Sequence, residues 1–179
     1  FFMYVPFPAI HGPIFVSGMS HEMEEYKKVY SAHIGEVDAS VGAIMNTLEK
    51  LGIDKNTFVF FTSDNGGSRK YASHGPLRGA KGYEPYEGRM REPAIAWWPG
   101  SVPAGKKSGE IIASIDILPT LASIAGVPLP SDRVIDGHDV SDMFLGRRGA
   151  SSPHEILYHE TDAIRKGKWK LVDYFDREE

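Results

Sequence analysis

Apolar residues recur at three- and four-residue steps from about Ser20 to Leu51, through Tyr26, Tyr30, Ile34, Val37, Val41, Ile44, Met45 and Leu48. That spacing makes one face of a long helix, and Gly52 stands where helices commonly end. The pattern then changes. The run TFVFFTSD, residues 57–64, is short, β-branched and aromatic with no polar alternation, and predicts a buried strand of the parallel-sheet kind. Residues 1–7 are aromatic and β-branched and are closed off by Pro6 and Pro8, which predicts another strand. Strand, long helix and strand make a βαβ unit. EPAIAWWPG predicts a further strand stopped by Pro99 and Gly100, and SIDILPTLASIAG a helix with Pro119 in its first turn and Gly126 at its end. In the tail, HEILYHE and AIRKGKWKLVDYF are two strand-like runs with a basic turn at Lys166 to Lys168. The expected fold class is α/β, with residues 1–150 in the body and 151–179 starting a small antiparallel subdomain.

One stretch has no period at all. Residues 66–90 are rich in Gly, Arg, Lys, Tyr and Ser, and loops of that length in compact domains are usually functional or disordered. The strand before it ends on Asp64 and Asn65. In an open parallel α/β sheet, ligands bind beyond the carboxyl ends of the strands. Both residues fall at such an end, and His11 falls just after the end of the first predicted strand.

Composition narrows the field without choosing a function. At 179 residues the chain suits one domain with a real core. Net charge is −4, from 20 basic and 24 acidic residues, and the basic residues are scattered, so nothing recommends a nucleic-acid partner or an anionic membrane. No stretch approaches the roughly 20 apolar residues of a membrane span. Cysteine is absent, which excludes disulfides, thiolate metal sites and a cysteine nucleophile within these residues. The start, FFMYVPFPAIHG, has no basic leader and reads as entering in the middle of a longer protein.

Taken singly, the candidate residues read most simply as ordinary structure. Asp, Asn and Gly are turn residues. Yet Asp64 and Asn65 also supply the hard oxygen donors that calcium or magnesium prefers, although a calcium ion takes 6–8 of them and two side chains cannot complete a site. His11 lies in a kinked loop between Ile10 and Gly12, and Lys81 in LRGAKGYEPYEG, where Gly79 and Gly82 allow backbone to approach a ligand. His74 and Arg78 share that loop, where a solvent-exposed or bracing role outweighs contact with a substrate. Glu87 and Arg91 read as holding the loop in place, Asp38 and Asp116 as structural, the latter as a helix cap, and Trp97 and Trp98 as core and edge.

Together and in order, the segments resemble the second half of the catalytic domain of the formylglycine-dependent sulfatases, the arylsulfatase family of the alkaline-phosphatase-like superfamily. The carrying segments are FFMYVPFPAIHGP, GEVDASVGAIMNTLEKLGIDKNTFVFFTSDNGG, LRGAKGYEPYEGRMREPAIAWWPG, SIDILPTLASIAGVPLP with IDGHDV, and AIRKGKWKLV. The resemblance implies a helix-flanked parallel or mixed sheet, only partly contained in this chain, with the small C-terminal antiparallel sheet appended. It implies that Asp64 and Asn65 are metal ligands, most often for calcium, and that His11 and Lys81 are catalytic residues that contact the sulfate ester. Those roles are chemically sound, because a transferring sulfuryl group gathers negative charge that a cation, an ammonium and an imidazole stabilise. An imidazole can also protonate the leaving oxygen. The implied function is hydrolysis of a small-molecule or carbohydrate sulfate ester, in the periplasm or outside the cell.

The chain departs from the family in two ways. The glutamate of YEGR is followed by Gly88 and Arg89, where two glycines are common. More seriously, the formylglycine nucleophile arises from a Cys/Ser-x-Pro/Ala-x-Arg motif that these 179 residues do not contain, and the aspartate pair that completes the metal site is missing with it. The parent protein is thus expected to be a sulfatase, and this chain alone to be inactive and a poor binder of calcium. The alternatives are a phosphatase or phosphodiesterase of the same superfamily, against which a single hard cation at Asp64 and Asn65 argues, and a non-catalytic truncated relative.

Overall fold

The computed structural model describes residues 1–14, 23–82, 85–159 and 163–173. Its elements are α1 (Met23–Lys50), β1 (Val59–Thr62), a single turn α2 (Glu87–Met90), β2 (Ala94–Trp97), α3 (Ile117–Ala125), a single turn α4 (Ser141–Phe144), and β3 (Ile156–His159), β4 (Ala163–Lys166) and β5 (Trp169–Val172). The architecture is α/β, with β1 beside β2 in one sheet and an antiparallel β3-β4-β5 sheet. The helix-flanked sheet expected from the resemblance is represented among the described residues only by β1 and β2. The expected helix start near Ser20, and residues 83, 84, 160, 174 and 175 of the predicted loop and strands, lie outside the described residues.

The long helix ends as its sequence dictates. Gly52 takes φ 67°, a left-handed conformation that glycine adopts without steric cost, and its N–H reaches the carbonyl of Glu49 at 2.9 Å. Leu48 is buried, and Tyr26, Tyr30, Val37, Val41, Ile44 and Met45 are half-buried along the predicted stripe; Ile34 is exposed, and Val29 is buried although it lies off the stripe. α3 also ends on its expected glycine, Gly126 at φ 66°, whose N–H bonds the carbonyls of Ala122 and Ser123. Pro119 is the third residue of α3, where its missing N–H leaves no partner in want.

Residues 1–7 are not a strand. Phe1 stands 86% exposed, Phe2, Met3 and Tyr4 are exposed with it, and no described strand lies alongside to complete their hydrogen bonds. A β-branched and aromatic run becomes a strand only where a neighbour supplies the ladder, so the βαβ unit is not assembled here. The tail holds three strands rather than two, because AIRKGKWKLV folds back on itself at Gly167, φ 54°, to make β4 and β5. The register pairs Tyr158 with Ile164 and Ile164 with Leu171.

Two compact units are present. The first comprises residues 1–57 and 62–94, the second 58–61 and 95–179. All four candidate site residues belong to the first. In the second, Phe144 packs edge-on against Phe58 and Phe60 at 5.5 Å, and Asp116 is almost wholly enclosed. Asp116 caps the 3-10 turn Ser114–Asp116 that leads into α3, and it does more. Its carboxylate accepts the N–H of Ala113 at 2.8 Å, the N–H of His138 at 2.8 Å and Nε2 of His154 at 2.6 Å, joining three segments at one buried charge. Thr120 adds a fourth tie by accepting the N–H of Val140 at 3.0 Å.

Candidate functional site

The residues after β1 are shaped by close backbone approach. A Cβ on Gly66 would collide with the carbonyl oxygen of Gly88, and a Cβ on Gly88 with the carbonyl of Gly79. The N–H of Gly66 bonds the carbonyl of Arg89 at 3.0 Å, and the N–H of Gly88 bonds the carbonyl of Arg78 at 2.7 Å. Three stretches of one loop are therefore clasped at glycine contacts, and only Gly88 of the common glycine pair is needed for that fit.

Gly67 continues the clasp. Its carbonyl accepts Nε2–H of His74 at 2.8 Å and the backbone N–H of Lys81 at 3.0 Å. A side chain on Gly67 would stand 2.5 Å from Cβ of Ala72 and 3.4 Å from the hydroxyl of Tyr30. His74 is thus the brace that the sequence suggested, and its bond places the proton on Nε2. Lys81 is anchored by its backbone two residues from Asn65, with its side chain exposed.

His11 lies in a tight turn in which its N–H reaches the carbonyl of Pro8 at 3.0 Å. Its Nδ1–H donates to the carbonyl of Gly12 at 2.6 Å, which leaves Nε2 as the nitrogen available to a ligand. The turn is held to α1 by His33, whose Nδ1–H donates to the carbonyl of Ala9 at 2.5 Å. It is also close to the long loop, since a Cβ on Gly12 would sit 3.7 Å from the hydroxyl of Tyr71. The ring of Tyr71 in turn lies 5.0 Å from that of Tyr30 on α1. One helix therefore supports both the His11 turn and the loop that carries Lys81.

Asp64 is exposed and Asn65 half-buried, immediately beyond β1. The hydroxyl of Ser63 donates to the backbone carbonyl of Asn65 at 3.1 Å, fixing that peptide. Glu92 faces the same corner. Its Oε1 is buried without a hydrogen-bond partner, and burial pushes its carboxyl above the ordinary range, helped by the charge of Asp64 and opposed by His74. Asp64 and Asn65 are hard oxygen donors of the kind that a divalent cation takes. Among the described residues, no group of three or more His, Cys, Asp or Glu side chains is gathered to hold an ion.

His33, Tyr71 and Glu92 carried no signal in the sequence. His33 could have been noticed on the Tyr26, Tyr30, Val37 stripe, where its spacing places it toward the core side. Glu92, a single acid between Arg91 and Pro93, had no pattern to mark it. Arg78 stacks its guanidinium on Tyr86, 3.9 Å from the ring centroid, and these two residues help to line a cavity of about 330 Å³ with Arg69, His74, Gly79 and Ala80.

A family model described as Sulfatase matches residues 1–127. The N-acetylgalactosamine-6-sulfatase of Canis lupus familiaris is 40% identical over 178 residues, covering 95% of this chain and 33% of that protein. A crystal structure of Ps i-CgsB with k-i-k-neocarrahexaose superposes with a TM-score of 0.74 at 28% identity, covering 90% of this chain and 38% of the other. The structure of BT4656 with its substrate D-glucosamine-2-N,6-O-disulfate does so with a TM-score of 0.66 at 27% identity, covering 88% and 33%. The chain spans about a third of the length of the curated relative.

Proposed function

This chain belongs to the sulfatase family, and from that premise we propose that the protein it forms part of hydrolyses a carbohydrate sulfate ester, with His11, Asp64, Asn65 and Lys81 around the reacting group. The observation that carries the reading is the shared support of these residues. Lys81 hangs from the carbonyl of Gly67, two residues after Asn65, and the His11 turn and the same loop both rest on α1 through His33, Tyr30 and Tyr71.

Each residue has a distinct task in this reading. Lys81 places an ammonium against a sulfate oxygen, where charge develops as the S–O bond breaks. His11 keeps its Nδ1–H on the Gly12 carbonyl and, as the imidazolium, delivers its Nε2 proton to the leaving oxygen, so that the sugar departs as an alcohol and the ring is left neutral. Asp64 and Asn65 hold a divalent cation, calcium by the family's habit, whose charge polarises the sulfate when bound. Residues beyond this sequence supply the formylglycine nucleophile and the remaining ligands. The exported location common to such enzymes is part of the same proposal.

The test uses the full-length protein. Replacing His11 by Ala or Lys81 by Ala should each lower kcat/KM on a carbohydrate sulfate about 100-fold or more, as removal of one transition-state donor does elsewhere. Activity within a factor of two of the parent in both variants would remove the proposal's basis.

A further inference from the structure

The cavity walled by Arg69, His74, Arg78, Gly79, Ala80 and Tyr86 has no part in the reaction just described. We propose that it is a subsite for a second sulfate group, carried by the same sugar whose reacting sulfate ester meets Lys81 and His11. The inference rests on that reading of Lys81.

Size and wall chemistry agree. A volume of about 330 Å³ lies at the lower end of ligand pockets, which suits one sugar substituent rather than a whole oligosaccharide. Arg69 and Arg78 are its cationic lining residues, none of its lining residues is acidic, and the Nε2–H of His74 is already given to the Gly67 carbonyl. A guanidinium offers paired N–H donors in a plane that matches two oxygens of a sulfate. Arg78 is already oriented, because its guanidinium lies on the Tyr86 ring at 3.9 Å, so little rotamer freedom remains to be lost on binding. Gly79 makes that stacking possible, since a Cβ there would approach Cβ of Tyr86 to 2.8 Å.

Position supplies the link to the reacting group. The carbonyl of Gly67 holds Nε2–H of His74, a wall residue, and the N–H of Lys81. Ala80, another wall residue, directly precedes Lys81. The cavity and the proposed reaction centre therefore share one anchor.

Titration calorimetry of the full-length protein, with its formylglycine-forming residue replaced by Ala so that neither sugar is turned over, against glucosamine 6-sulfate and glucosamine 2-N,6-O-disulfate decides the matter. The disulfate should bind about tenfold tighter, the size expected of one additional charge-assisted contact. Arg69→Ala and Arg78→Gln should each remove most of that preference and leave the monosulfate affinity within about twofold of the parent, while Lys81→Ala should weaken both sugars alike. Equal affinity of the parent chain for the two sugars, no detectable binding of the disulfate, or arginine variants that weaken both equally would overturn the subsite. If Lys81→Ala changes neither affinity while the arginine variants still erase the preference, the reaction-centre reading fails and the cavity stands as an independent sulfate site. Should Arg78→Gln fail to unfold cooperatively in a thermal melt, Arg69→Ala and Arg69→Glu carry the comparison, because Arg69 is an exposed loop residue.

Discussion

Gly66, Gly67 and Gly88 matter for the atoms they lack. Each sits where a Cβ would meet another segment of the same loop, and in two of the three the obstacle is backbone that cannot rotate away. Gly88→Ala should therefore destabilise the chain by about 1–3 kcal/mol, the usual cost of forced overpacking, read from the midpoint of urea unfolding. A variant as stable as the parent would show that the clasp relaxes without cost. The sequence marked Asp64 and Asn65 as donors and the following glycines as turn formers, but turn propensity has no knowledge of what passes overhead. That is why the turn was legible and the close contacts that demand its glycines were not. Glu92 illustrates the same limit, since its character comes from burial and from Asp64 rather than from its neighbours in sequence.

At the level of elements, local signals succeeded where they were self-contained. α1 and α3 carry their own period and their own terminal glycines, and both form within a few residues of expectation. The run at residues 1–7 needed a partner strand to become one. Asp116 needed His138 and His154, 22 and 38 residues away, to become a junction as well as a helix cap. Side chains of His154 and Asp116 are only 6% and 2% exposed, so deleting the acid leaves buried donors without acceptors. Asp116→Ala should cost at least about 3 kcal/mol and His154→Ala less, about 1–3 kcal/mol, in urea unfolding. The reverse order would refute the junction. Asp139 gives a pH signature. Burial alone would raise its carboxyl, but hydrogen bonds from Ser123 and from the N–H and hydroxyl of Ser141 win and hold it below the ordinary range. A depressed carboxyl contributes stability above its unfolded pKa and loses it as pH falls through the folded value. Asp139→Ala should thus melt several degrees below the parent at neutral pH, with the gap closing on acidification; a gap that persists in strong acid would exclude this linkage.

For the molecule as a whole, the missing chemistry is as informative as the chemistry present. Two oxygen donors, a histidine and a lysine cannot cleave a sulfate ester without a nucleophile, and the 179 residues hold no motif that makes one. The isolated chain should accordingly release no phenol from a chromogenic aryl sulfate in the presence of calcium, beyond that seen with His11→Ala. Turnover that depends on His11 would reveal a nucleophile within these residues. The glycine clasp has a consequence of a different kind. It pins the loop at Gly66 and Gly67 on one side and at Arg78 to Lys81 on the other, leaving the arc at exposed Arg69 and Lys70 as the stretch where exchanges disturb the anchors least. Descendants of such a chain could acquire new sugar preferences by rewriting that arc while the machinery for breaking the ester bond stayed where it was.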